Sequence, residues 1–184
     1  MYVGAIAIVM GLFAIEIATN YAPAKLSVLF LVCAWFPLLA IHEAGHAVAA
    51  RLCGGHVRAV VIGFGRTLWS GTLWGVLVEV RALPIEGFTL TYGHRGRLRG
   101  AFVYFAGPGA ELLVAGALLA VLGPEAMFSL SEEASVIAMQ AVALGAVVSA
   151  VINLIPAEAR DGPWGESRVA NDGLGILRSL FGAS

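Results

Sequence analysis

Two histidines four residues apart, His42 and His46, stand inside an otherwise apolar run, with Glu43 beside the first of them. On a helix, positions i and i+4 share a face. Two imidazoles stacked this way can hold one zinc ion at about 2.0–2.1 Å. A carboxylate next to the pair can take a proton from a water activated by the metal, which is the chemistry of hydrolysis. Histidine and glutamate are costly within a membrane-length apolar segment and mark functional positions there. Two buried histidines bonded to their neighbours would account for the imidazoles but would leave Glu43 without a reason. The motif lies near Arg51, at the end of the run where water can enter. Pro37, just over one turn earlier, reads as an ordinary helix kink.

The chain of 184 residues is 59% hydrophobic and only 12% charged. Soluble domains carry about 25% charged residues, so the composition predicts a membrane protein built as one domain over residues 1–184. Four apolar stretches approach the roughly 20 residues that a span needs: Tyr2 to Ala18, Leu26 to Ala50, Gly100 to Leu122 and Ala134 to Ile155. The first lacks a basic leader and reads as a span rather than a cleaved signal. The predicted fold class is therefore mainly α and polytopic, with about four transmembrane helices. Between the second and third spans, His56 to Leu98 is rich in β-branched and aromatic residues punctuated by glycines, which predicts strands and turns. Residues 156–184 read as a loop followed by a half-helix, Leu174 to Phe181. Cys33 and Cys53 read as small core hydrophobes. No basic run suggests nucleic acid.

With four spans, both termini and the β-rich segment share one side. Every arginine of the chain falls on that side, and Lys25 alone falls on the other. Basic residues stay inside, so both termini and the motif are expected to face the cytoplasm from a cell membrane. Losing the first span would not move the other segments.

The motif Ile41-His-Glu-Ala-Gly-His46 resembles that of the site-2 protease family of intramembrane zinc metalloproteases. Three further segments carry the resemblance: Asn153-Leu-Ile-Pro156 at the end of the fourth span, Ala106-Gly-Pro-Gly-Ala-Glu111 in the third, and Leu83-Pro-Ile-Glu-Gly-Phe88 ahead of it. Together they cover most of the chain after Leu26. The resemblance implies a Zn2+ enzyme that cleaves membrane-associated protein or peptide substrates, with His42 and His46 on the metal and Glu43 as general base. It also implies an aspartate, within an Asp-Gly pair, as third ligand. Two such pairs exist. Asp161-Gly162 sits at the family's commonest spacing from Asn153, but Pro163-Trp-Gly follows it. Asp172-Gly173 leads into the apolar half-helix. The preference goes to Asp172, with 157–171 as an inserted loop and Asp161 as the alternative.

Asn153 is carried over as a group that steadies substrate or the tetrahedral intermediate, its other reading being a helix end that satisfies loose carbonyls. Glu111 stands where the family often has asparagine, and no role is assigned to it. His56 and His94 read as surface or interfacial residues, and Arg95, Arg97 and Arg99 as topology anchors that contact lipid. Two rivals share the same residues: a membrane metal-binding or transport protein, and an adaptor of the same fold without activity. The intact motif with Glu43 favours the enzyme.

Overall fold

The computed structural model describes residues 2–93, 95–160 and 168–182. Helix α1 (Tyr2–Thr19) is followed by a short turn at Pro23–Lys25 and by α2 (Leu26–Leu52). Strands β1 (His56–Leu73) and β2 (Val76–Tyr92) come next. Helices α3 (Arg97–Phe128) and α4 (Ala134–Leu154) follow. A small pair, β3 (Glu158–Arg160) and β4 (Arg168–Ala170), precedes α5 (Asp172–Phe181).

Among the described residues, three helical segments are long and apolar enough to cross a membrane: Pro23–Leu52, Arg97–Phe128 and Ala134–Leu154. The protein is thus mainly helical, with the strands inserted between the first and second of these segments. The expected stretch Gly100 to Leu122 is the first part of α3, because Gly123 (φ 76°, ψ 159°) breaks the helix just before Pro124. The expected first stretch folds as α1, whose end is tied to the next turn by the Glu16–Lys25 ion pair. Cys33 departs from the expected core position. It is exposed on α2, as are its neighbours Leu29 and Val32, so this face of the helix is turned away from the bundle.

Helices in lipid gain little from burying apolar surface against each other, so close backbone packing must hold them. The contacts here use small residues. Ala34 and Leu38 of α2, Ala115 of α3, and Ala143 and Ala146 of α4 form one buried cluster. A second cluster joins Ala49 and Ala50 at the end of α2 to Val57, Val60 and Val76 of the strands and Val103 of α3. Gly45 of α2 lies directly against the Ala106 carbonyl of α3.

The strands turn at Trp74-Gly75, where both φ angles are positive (49° and 78°), as a two-residue type I′ hairpin requires. Both strands also fold back on themselves. Residues 67–73 of β1 pair with 76–81 of β2, while residues 59–62 register with 87–90 and also with 77–80. Gly63 (φ 93°) sits at this fold, and a Cβ there would meet the Leu83 and Arg81 carbonyl oxygens at 2.8 and 2.9 Å. The fold-back leaves the 85–91 stretch of β2 along the cleft that holds His42, Glu43 and His46.

Replacing Gly45 by alanine drives a methyl group into the Ala106 carbonyl. Overpacking of this kind costs about 1–3 kcal/mol. Thermal unfolding in detergent is expected to show a lowered midpoint for Gly45→Ala; an unchanged midpoint would rule out this α2–α3 contact.

Candidate metal centre

The helical repeat of α2 places His42 and His46 on one face, and both are buried. Their Nε2 atoms lie 3.1 Å apart. Asp172, the first residue of α5, completes the group. Its Oδ2 is 3.0 Å from His42 Nε2 and its Oδ1 is 3.3 Å from His46 Nε2. Two ligands of a tetrahedral zinc, each at about 2.0–2.1 Å, stand about 3.3–3.4 Å apart. The separation of the two nitrogens is close to that edge length, each ring has an Asp172 oxygen at a similar distance, and one donor atom from each of the three residues can be chosen so that all lie within 4.8 Å of one another. Two imidazole nitrogens with a carboxylate are a usual zinc donor set. These residues therefore fit a zinc ion.

Orientation is supplied from α3. His46 Nδ1 donates to the Val103 carbonyl at 2.7 Å, which leaves its Nε2 lone pair for a metal. Gly107, one turn further along α3, faces both imidazoles. A Cβ at this position would collide with Nε2 of His46 and of His42. The Ala106-Gly-Pro-Gly segment thus lets α3 press its backbone against the two rings.

Asp172 is held by its neighbour. Asn171 caps α5, its Oδ1 accepting from Leu174 N at 3.1 Å and from Ala157 N at 2.9 Å. Its Nδ2 donates to the Ile155 carbonyl at 2.6 Å. The capping work thus falls on Asn171, and the Asp172 carboxylate is free to face the histidines. Gly173 abuts the Leu154 carbonyl and Gly175 abuts the Tyr104 ring, so α5 docks closely on α3 and on the end of α4. Burial pushes the Asp172 carboxyl up, but the His42 and His46 rings outweigh that and hold it below its ordinary value.

Glu43 is buried and opens into the same cleft, of about 870 Å³. Thr89 Oγ1 donates to Glu43 Oε2 at 2.7 Å and lies 3.0 Å from the Glu43 carbonyl oxygen. A Cβ at Gly87 would come within 2.8 Å of Glu43 Oε1. Strand β2 therefore both fixes this carboxylate and leaves room for it. Asn153 lines the cleft, and its Nδ2 donates to the Ser149 carbonyl of its own helix at 3.1 Å. Asp161 and His94 lie outside the described residues. His56 is exposed and stacks on Tyr92.

Thr89 and Asn171 escape a reading of the sequence alone, and Gly107 is met there only as part of the Ala106–Glu111 segment that carries the resemblance, without its contact to the imidazoles. Only Asn171 carries a local signal, since asparagine before a short apolar helix is a favoured cap. Zinc content of the purified chain tests the assembly. One zinc per chain is expected, lost in Asp172→Asn and kept in Asp161→Asn. The opposite pattern would move the third ligand to Asp161.

A family model described as Peptidase family M50 matches residues 30–150. A putative zinc metalloprotease of Pasteurella multocida is 36% identical over 95 residues, covering 42% of this chain and 22% of that protein. A putative zinc metalloprotease of Helicobacter pylori is 38% identical over 56 residues, covering 30% of this chain and 16% of that protein. Zinc metalloprotease Rip1 of Mycobacterium tuberculosis is 34% identical over 93 residues, covering 41% and 23%. This chain spans about a fifth of the length of these relatives. The matched region contains the His42–His46 motif, both strands, and all of α3, whose backbone closes over the histidines. The chain belongs to peptidase family M50.

Proposed function

We propose that this protein is an intramembrane zinc endopeptidase that hydrolyses peptide bonds of membrane-associated protein or peptide substrates. The observation that carries this reading is the buried Glu43 carboxylate opening into the same cleft as the His42, His46 and Asp172 donors. His42, His46 and Asp172 would hold a zinc ion, which would supply polarisation of the scissile carbonyl and a water acidic enough to attack at neutral pH. Glu43 takes the proton of that water and returns it to the leaving amine. Thr89 keeps the carboxylate aimed into the cleft. Asn153, on the cleft wall, is proposed to steady the substrate or the tetrahedral intermediate.

A helical substrate hides its carbonyls in hydrogen bonds, so the scissile segment must be extended. The 85–91 stretch of β2 along the cleft can hold it as an added strand. Three candidate spans alone set the strands, the end of α4 and α5 on one membrane side. The apolar 18-residue α1 is proposed as a fourth span, which brings the N-terminus to that same side. The arginine distribution makes that side cytoplasmic.

Glu43→Gln is expected to keep its zinc and to lower cleavage of a membrane-embedded reporter by at least about 100-fold, as loss of a general base does. Undiminished function with zinc retained would favour a metal-binding or transport protein instead. Prolines placed singly at Ile85 and Glu86 remove backbone donors on opposite edges of the strand. Loss of cleavage at full zinc content in at least one of them supports strand addition. Full cleavage by both would show that this edge does not hold substrate.

A further inference from the structure

Helix α3 presents Val103, Gly107 and Glu111 at four-residue intervals, so all three lie on one face. Each meets the histidine pair. The Val103 carbonyl accepts from His46 Nδ1, and Gly107 lets the backbone close over both rings. One turn further on, Glu111 Oε2 stands 3.1 Å from His42 Nδ1. The two atoms are at hydrogen-bond distance, though off the ideal N–H···O line. Neither has another hydrogen-bond partner among the described residues.

Glu111 is only 1% exposed. A carboxyl group buried between apolar helices is costly unless something faces it. What faces it here is the far side of a metal-ligand imidazole. Histidine ligands commonly donate their second ring N–H to a carboxylate or to a carbonyl, which fixes the tautomer and raises the donor strength of the other nitrogen. His46 has the carbonyl version of this contact, and among the described residues no backbone carbonyl accepts from His42 Nδ1.

We propose that Glu111 is a positioning residue for His42. Its carboxylate accepts the Nδ1 proton, so that the Nε2 lone pair points at the metal. The inference rests on the reading of His42, His46 and Asp172 as a zinc site. It assigns a purpose to the carboxyl group at the position where the resemblance leads one to expect an asparagine. Glutamate reaches further than asparagine and accepts more strongly, which suits contact with a ring on a neighbouring helix.

The test compares the full chain with Glu111→Gln and Glu111→Leu, purified in detergent. Zinc affinity is measured by competition with a chromophoric chelator, and the absorption spectrum is recorded with cobalt in place of zinc. Thermal unfolding of the metal-free proteins reports the fold. Removing such a partner weakens metal binding by about 10–100-fold, which is the loss expected for Glu111→Leu. Glu111→Gln retains an acceptor oxygen at the same reach and should recover part of it. Both should shift the cobalt spectrum, because the donor strength of His42 changes. Parental affinity and an unchanged spectrum in the variants would overturn the proposal, whether or not their unfolding midpoints fall. If Glu111→Leu does not fold, Glu111→Gln decides by the same criteria. A parent chain that takes up no zinc would overturn the metal-centre reading itself, and the assignment of Glu111 with it.

Discussion

The close approach of α2 and α3 is the contact on which the rest of the centre depends. It is made by glycine on both sides, Gly45 against the Ala106 carbonyl and Gly107 against the two imidazoles. Backbone proximity of this kind is how helices associate where water is absent and apolar burial gives little drive. It also brings a backbone carbonyl, that of Val103, within reach of His46 Nδ1. One packing contact thus joins two helices of the bundle and sets the direction of a ring in the candidate metal centre.

A polar cluster inside an apolar bundle is stable only when its groups satisfy one another. Here the partners come from different parts of the chain. Thr89 on a strand holds Glu43, a carbonyl on α3 holds His46, and Asn171 holds the start of the helix that carries Asp172. The contacts reach the cluster from separate sides, so no single helix has to carry every constraint. The cleft beside the cluster stays open along the strand and the end of α4.

The strands give an otherwise helical protein an extended backbone next to its buried carboxylate. Their fold-back at Gly63 makes a small sheet rather than a long exposed ribbon, and the Val57, Val60 and Val76 side chains pack on the end of α2. Packing on α2 fixes the sheet relative to Glu43. That is why Gly87 and Thr89 can sit so close to a residue far away in sequence.

The helical segments and the three residues His42, Glu43 and His46 could be read from the sequence because they depend on local rules. Apolar length predicts a membrane helix, and a spacing of four puts two side chains on one face whatever the helix packs against. The strand content between the spans was equally legible from β-branched residues and glycines, but its fold-back was not, since register is a matter of pairing between distant residues. Asp161-Gly162 and Asp172-Gly173 look alike as dipeptides, and no local rule separates them. The docking of α5 on α3, through Gly175 and Tyr104, is what carries Asp172 to the histidines. The Val103 carbonyl could not be read at all, because every residue has one and only packing decides which meets a ring. Thr89 and Glu111 were unassignable for the same reason: what a polar side chain does inside a membrane protein depends on what the tertiary structure sets opposite it.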